Sequence, residues 1–170
     1  MMIRAELEKD YDEVNEVITH AFASAEQSDG SEKDLVVALR KSAAFIPELS
    51  LVVEQNGKIV GHILFTKINI GNCIELALAP LAVLPEYQRL GIGLALIREG
   101  HKIAEEMGFH FSVVLGSEVY YSKAGYVSAS SYGIAASFDV PDENFMAYKL
   151  CKEEFEICGT VKYALEFGIE

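Results

Sequence analysis

The sequence predicts a single α/β domain, residues 1–170, with a central mixed β-sheet flanked by helices. Three observations lead to this fold class. The 170 residues are enough for one ordinary domain with a sizeable buried core. The composition, 51% hydrophobic and 24% charged, is close to that of globular proteins. Segments of helical and strand periodicity alternate along the chain, without repeats or linkers between them.

The chain begins with a short edge strand, residues 1–5, and two helices follow it. Asp10 and Glu13 have the spacing of a capping box, and apolar residues then recur at helical intervals as far as Phe22. Ser31 is the start signal of the second helix.

Three strands come next. The β-rich runs 49–53 and 59–65 flank the dipeptide Asn56-Gly57, which is typical of a hairpin turn. Residues 74–84 are nearly all apolar, which predicts a strand that is buried on both faces.

A long helix and several shorter elements complete the order. Residues 92–107 have one apolar face, and Gly108 is a natural end for that helix. The remaining elements are predicted at residues 110–115 (strand), 118–124 (short helix ended by Gly125), 145–150 (strand) and 160–164 (strand).

Charge excludes one class of partner. Acidic residues number 26 against 14 Lys plus Arg, a formal charge of −12, so most of the surface repels phosphate backbones and no nucleic-acid partner is expected. The charge is uneven, because residues 1–34 have a net charge of −7 and residues 139–170 have −5. The nearly neutral middle of the chain can therefore accept an anionic ligand.

Cysteine usage and hydropathy predict a cytoplasmic protein. The three cysteines lack CxxC spacing and the four histidines do not cluster, so we expect reduced thiols and no metal. Residues 1–10 lack the apolar region of a signal peptide. The longest apolar run, residues 76–84, is far shorter than the ~20 residues of a membrane span, so no membrane partner is expected.

The strongest indication of chemistry is the strand-to-helix junction LAVLPEYQRLGIGLAL, residues 81–96. Amides at a helix N-terminus and the helix dipole attract anions, and Gly91 and Gly93 allow an anion to approach the backbone closely. Arg89 adds a positive charge, and Gln88 can donate a hydrogen bond to the same oxygens. A pyrophosphate group suits this loop.

Two common phosphate-binding loops do not match this junction. The chain contains no Gly-Lys-Ser/Thr, which a P-loop requires. Leu96 stands where a dinucleotide fingerprint has its third glycine, and residues 111–115 contain no acid at the distance that fingerprint requires.

The Gln-x-x-Gly-x-Gly of residues 88–93, after a buried strand, resembles the signature of the GNAT acetyltransferase superfamily. Residues 121–126, Tyr-Ser-Lys-Ala-Gly-Tyr, resemble its Tyr-x-x-x-Gly-Phe/Tyr element, and the order of elements is similar over residues 1–127. Residues 159–168 are similar to a prokaryotic subgroup of predicted acetyltransferases.

The resemblance implies an acetyl-coenzyme A-dependent N-acetyltransferase that acts on a primary amine of a small molecule, peptide or protein. It implies a donor-binding core at residues 1–127, with the fourth strand splayed from the fifth, and an acceptor side completed by residues 128–170. The donor residues that it implies are Leu81, Ala82 and Val83 for the pantetheine arm, Gln88, Arg89, Leu90, Gly91, Ile92, Gly93 and Leu94 for the pyrophosphate, and Tyr121.

Direct acyl transfer needs a neutral amine, a stabilised oxyanion and a proton for the leaving thiolate. The resemblance assigns the proton to Tyr121 and the oxyanion to backbone N–H groups around Val83. Glu75 is the candidate base, with a solvated strand-end carboxylate as the alternative. His62 is a second candidate, with a hydrogen-bonded core histidine as the alternative.

Two neighbouring residues are expected to be uninvolved. Tyr120 should point away from Tyr121 on the short helix, and His101 should be exposed to solvent because it lies off the apolar helix face.

Other functions stay open at this point. A non-catalytic acyl-coenzyme A-binding or regulatory module would share these motifs, and so would an acyltransferase with a hydroxyl acceptor. The protein can be a monomer or a homodimer. In the family, the acidic terminal regions wall the acceptor cleft, which predicts a preference for cationic acceptors near Glu26, Asp29 and Glu32. Charge that serves only solubility is the alternative.

Overall fold

The computed structural model describes residues 1–25 and 28–169. Its central element is a mixed β-sheet. Glu26, one of the acids expected near the acceptor, lies outside the described residues. The strands are β1 (Met2–Ala5), β2 (Phe45–Gln55), β3 (Lys58–Ile70), β4 (Cys73–Val83), β5 (Phe111–Leu115), β6 (Val127–Ser128), β7 (Ile134–Ala135), β8 (Phe145–Lys149) and β9 (Gly159–Lys162). The helices are α1 (Tyr11–Phe22), α2 (Glu32–Arg40), α3 (Ile92–Glu106) and α4 (Glu118–Tyr121).

The strand order is β1-β2-β3-β4-β5-β8-β6, with β9 paired to β3 and β7 paired to β9. The pairs β4–β5 and β7–β9 are parallel and the others are antiparallel. The mixed sheet that the sequence predicts is therefore confirmed. None of the helices in the described residues is long and apolar enough to cross a membrane.

The start of α1 differs from the predicted capping box. The Asp10 carboxylate makes no cap of α1; it pairs with Arg4 at 2.7 Å and accepts the Leu7 N–H at 2.8 Å. The Glu13 carboxylate accepts the Ile59 N–H at 2.7 Å, from the start of β3. Both acids have partners outside the helix, and these take the place of the local capping bonds.

Helix α3 packs closely on β3 because glycines lie at the contact. A β-carbon at Gly100 would lie 2.8 Å from Cζ of Phe65, and one at Gly61 would lie 3.3 Å from Ile92 and from Leu96. This contact fixes the N-terminus of α3 beside the last residues of β4.

Strands β4 and β5 pair over two residues only, Leu76 with Ser112 and Ala77 with Val113. Beyond that point the two strands separate, which confirms the expected splay. The register with β3 shifts in the same stretch, with one extra residue on β4 around Pro80, which has no N–H to contribute to the ladder.

Candidate active-site cleft

A cleft of about 610 Å³ lies between the end of β4, the first turn of α3 and α4; we call it the central cleft. It contains most of the donor-binding residues that the sequence indicates. Ala82, which is buried, and Leu90, whose side chain is 68% exposed, are not in its lining. The indicated residues that line it are Leu81, Val83, Gln88, Arg89, Gly91, Ile92, Gly93, Leu94 and Tyr121.

The edge of β4 that faces the cleft offers backbone hydrogen-bonding groups. The Leu84 N–H donates to the Val60 carbonyl at 2.9 Å, so this N–H is directed toward β3. In an antiparallel ladder these directions alternate, so the backbone groups of Leu81 and Val83 point the other way. They therefore face the opening that β5 leaves.

The side chain of Gln88 has a hydrogen-bond partner within the protein. Its Nε2 donates to the Val83 carbonyl at 2.9 Å and so ties the loop to the end of β4. The side chain therefore shapes the loop. The Gln88 backbone N–H donates to the Pro85 carbonyl at 3.3 Å, so the donor that Gln88 can still offer to a phosphate is the second hydrogen on Nε2.

The turn before α3 presents its amides outward. Arg89 has φ 65° and Gly91 has φ 85°, both left-handed. A β-carbon at Gly91 would meet nothing within 4 Å, so the space outside the turn is open. The Ala95 N–H to Gly91 carbonyl bond of 3.0 Å is the first of the helix, and the three N–H groups before it are free to bind an anion.

The position of Tyr120 leaves no room for a side chain at Gly93. A β-carbon at position 93 would lie 2.1 Å from the Tyr120 Oη and 3.6 Å from Leu81 Cδ2. Tyr120 thus reaches across the central cleft from α4 to α3. The expectation that Tyr120 points elsewhere is wrong, since Tyr120 lines this cleft next to Tyr121.

Tyr121 lies at the β5 side of the opening. Its ring packs over Gly116, which directly follows β5, and a β-carbon there would be 2.5 Å from Tyr121 Cε2. Ser117 caps α4 by accepting the Tyr120 N–H at 3.3 Å, and this cap sets the helix against the end of β5. Burial raises the pKa of the Tyr121 hydroxyl above its usual range, so the phenol keeps its proton at neutral pH.

The charge in the central cleft is positive although the chain is acidic. Its lining holds Arg89 and Lys123 and, within the described residues, no carboxylate. Sequence reasoning missed Lys123 as a lining residue. Its position inside the Tyr-x-x-x-Gly element, two residues after Tyr121, was the available signal.

Glu75 does not reach the central cleft. Its carboxylate is fully buried and accepts the backbone N–H groups of His110 at 2.7 Å and Phe111 at 3.1 Å. It also lies 2.9 Å from His110 Nδ1. Since β4 and β5 are parallel, these bonds join the starts of both strands, at the end of the sheet opposite to the cleft. The geometry therefore gives Glu75 a structural role and not that of a base.

His62 is also remote from the cleft. Gly61 faces α3, so His62, the next residue of β3, faces the other side of the sheet. Its Nε2 lies 3.1 Å from Ser50 Oγ and 3.8 Å from the Glu6 carboxylate. Burial lowers the pKa of His62 to about 4, so the ring is neutral. The alternative interpretation, a hydrogen-bonded core histidine, describes it correctly.

His101 is buried, with 7% of its surface exposed, so the expectation of a solvent-exposed ring is wrong. Its Nε2 lies 3.0 Å from the Tyr126 hydroxyl, and its ring stacks on Tyr148 with centroids 4.0 Å apart. These partners come from β8 and the segment after α4. Helical periodicity therefore gives no sign of them.

The acids expected at the acceptor side have local partners. Asp29 accepts hydrogen bonds from the Ser31 N–H at 3.0 Å and from its hydroxyl at 2.5 Å, and these lower the pKa of Asp29. Glu32 accepts the hydroxyl of Ser28. Neither acid lines the central cleft.

Comparisons with known proteins agree with this geometry. The sequence profile of the Acetyltransferase (GNAT) family matches residues 12–126. The chain is 35% identical over 163 residues to an uncharacterized N-acetyltransferase, YjhQ, of Escherichia coli K12, covering 91% of this chain and 87% of that protein. YhbS of the same strain, also described as an uncharacterized N-acetyltransferase, is 25% identical over 171 residues, 99% of each chain.

Among solved structures, a GNAT family acetyltransferase from Brucella melitensis in complex with acetyl-CoA superposes with a TM-score of 0.80. It is 32% identical, over 98% of this chain and 97% of the other. The structure of Escherichia coli YhbS in complex with CoA has a TM-score of 0.86 and 24% identity, over 98% and 91% of the two chains.

Proposed function

Because this chain belongs to the GNAT family of acetyltransferases, we propose that it transfers an acetyl group from acetyl-coenzyme A directly to a primary amine of a small molecule, peptide or protein. One observation carries the proposal. The central cleft brings together an open strand edge, the free amides of α3 and the protonated hydroxyl of Tyr121. The acetyl-CoA complex of the Brucella protein supports the choice of donor.

The central cleft offers a group suited to each part of the donor. The open edge of Leu81 and Val83 can pair with the amides of a pantetheine arm as an added strand does. The amides that begin α3 face a pyrophosphate, and Arg89 and Lys123 neutralise its charge. All the lining residues lie between positions 81 and 123. We accordingly propose that residues 1–127 hold the donor and that residues 128–170 complete the acceptor side.

The chemistry follows from the position of the groups. The amine nitrogen attacks the thioester carbon, and a backbone N–H at the open edge of β4, from Leu81 or Val83, stabilises the oxyanion. As the tetrahedral intermediate collapses, the C–S bond breaks and Tyr121 donates its proton to the leaving thiolate. With a pKa of ~8.5 for a free thiol and ~10 for a phenol, this transfer is uphill by about 2 kcal/mol in water, a cost that a general acid lying beside the sulfur can offset.

No carboxylate or histidine among the described residues that line the central cleft is placed to take the proton of the amine. Glu75 and His62 are elsewhere. The proton therefore passes to water, from which Tyr121 is reprotonated. This route requires that the amine reach the cleft largely neutral.

A thiol-release assay with a panel of amines, combined with mass spectrometry of the acceptors, tests the proposal. The expected result is stoichiometric thiol and an acceptor heavier by one acetyl group. Binding of acetyl-coenzyme A without thiol release on any amine would favour a non-catalytic binding module. Modification of a hydroxyl instead of an amine would favour an O-acyltransferase.

A further inference from the structure

We propose that His101 is a positioning residue for acetyl transfer, which holds Tyr121 in its reactive orientation through the ring of Tyr126. The inference rests on the proposed function, since it assigns His101 a role in the same reaction. Its basis is a buried chain of contacts behind the central cleft, formed by Tyr121, Tyr126, His101, Ser112 and Tyr148; we call it the aromatic cluster.

Tyr121 rests on Tyr126. The two rings meet edge to face, with centroids 5.7 Å apart and planes at 71°. Tyr120 also meets Tyr121 edge to face, with centroids 5.0 Å apart and planes at 88°, and Gly116 lies against the edge of the Tyr121 ring. Of these neighbours, Tyr126 is the one that is buried, with 1% of its surface exposed. The orientation of Tyr121 therefore depends on where the Tyr126 ring is fixed.

Two hydrogen bonds fix Tyr126. Its hydroxyl lies 3.0 Å from Nε2 of His101 and 2.9 Å from Oγ of Ser112. A phenol hydroxyl has one proton to donate and can also accept, so both bonds form at once for either tautomer of a neutral imidazole. Burial keeps His101 neutral, because it lowers the pKa of the ring to about 4.

His101 is itself rigidly held. Its ring stacks on Tyr148, with centroids 4.0 Å apart and an interplanar angle of 14°, and Phe65 lies 6.0 Å away on β3. The contacts thus run from the sheet and α3 through Tyr126 to Tyr121. An apolar side chain at position 101 would fill the space but leave the Tyr126 hydroxyl with Ser112 alone.

We expect loss of the His101 hydrogen bond to affect turnover and not donor binding. A displacement of about 1 Å at a reacting group can cost up to ~100-fold in rate, whereas the donor contacts of β4 and α3 lie elsewhere in the cleft. His101→Phe keeps the stacking on Tyr148 and removes the hydrogen bond. His101→Gln restores a group that can bond the Tyr126 hydroxyl.

The first experiment measures kcat and the KM for acetyl-coenzyme A with the best amine of the panel. We expect His101→Phe to lower kcat about 10- to 100-fold with the KM within twofold, and His101→Gln to recover most of the loss. Val52→Ala, a buried truncation on β2, is the control for lost stability and should keep the kcat of the unmodified protein. Equal kcat for His101→Phe and the unmodified protein would overturn the proposal.

A double-mutant cycle with Tyr126→Phe tests the route of the effect. If His101 acts through the Tyr126 hydroxyl, adding His101→Phe to Tyr126→Phe lowers kcat no further. Full additivity would overturn the proposed route. Tyr126→Phe on its own also breaks the same hydrogen bond, so it serves in place of His101→Phe if that variant does not fold.

A measurement independent of turnover separates this inference from the proposed function. In protein labelled with 3-fluorotyrosine, the fluorine-19 resonance of Tyr121, assigned with Tyr121→Phe, reports the position of its ring. We expect His101→Phe to shift or broaden it and Val52→Ala to leave it unchanged. An unchanged resonance in His101→Phe would overturn the positioning role even if acetyl transfer is observed. A shifted resonance supports that role even if thiol release fails on every amine.

Discussion

The substitution Gly93→Ala tests whether Tyr120 and α3 together shape the donor site. In Gly93→Ala the new β-carbon would lie 2.1 Å from the Tyr120 Oη, so the hydroxyl must move by about 1 Å to reach an ordinary contact. The oxygen is at the far end of a side chain, so the ring can rotate, and the direction open to it is into the central cleft. Overpacking of this kind costs about 1–3 kcal/mol. The bound donor should oppose that rotation, so we expect the Kd for coenzyme A to rise by roughly 5- to 150-fold.

A double variant tests whether the overlap with the Tyr120 oxygen causes the loss of affinity. In Gly93→Ala with Tyr120→Phe, the overlapping oxygen is gone and the nearest ring atom, Cζ, is 3.4 Å from the new β-carbon. Calorimetric titration with coenzyme A should then give a Kd within about threefold of that for Tyr120→Phe alone. Gly91→Ala is the matched control, because its β-carbon meets nothing within 4 Å but its φ of 85° is unfavourable for alanine. Tyr120→Phe should therefore not rescue it. Normal binding by Gly93→Ala, or a double variant as weak as Gly93→Ala, would refute the account.

Three further predictions concern charge and protonation. The pKa values of His62 and His101 are both lowered to about 4 from 6.5, so the unfolded chain binds protons first as the pH falls. The free energy of unfolding should therefore be highest above pH 6.5 and decline toward pH 4, by about 2 kcal/mol for each histidine at pH 5. Urea unfolding at pH 7 and pH 5 should show a smaller loss for His101→Phe than for the unmodified protein. Lys123→Ala should raise the KM for acetyl-coenzyme A about tenfold and reduce its dependence on salt, while Lys102→Ala, an exposed lysine of α3 outside the cleft lining, should change neither. If the acidic termini attract the acceptor, higher ionic strength should raise the KM for a cationic amine and leave that for a neutral acceptor unchanged; equal responses would indicate charge that serves solubility only.

Local patterns predicted the elements well where the backbone itself dictates the conformation. Asn56 and Gly57 have φ of 53° and 76°, as the hairpin turn requires, and the open space at Gly91 agrees with an anion site before α3. The strand at residues 74–84 was predicted from its apolar run, and it is both core and edge of the central cleft. These signals are short in range, so one sequence contains them completely.

Polar side chains were harder to place, because their partners come from distant segments. Glu75 is bonded to the start of β5 and Glu13 to the start of β3. His101, expected in solvent, stacks on Tyr148, and a side chain at Gly93 would overlap Tyr120. Periodicity assigns a face to such residues, but the group that faces them depends on how the sheet and helices pack.

The comparison of two adjacent tyrosines tests the central claim most directly. Tyr121→Phe and Tyr120→Phe each remove one hydroxyl from the central cleft, at the β5 side and at α3 respectively. With saturating acetyl-coenzyme A and amine, Tyr121→Phe should lower kcat about 100-fold at an unchanged KM for the donor, and Tyr120→Phe should keep kcat within about threefold. A Tyr121→Phe enzyme with undiminished kcat would contradict the assignment of Tyr121 as the proton donor.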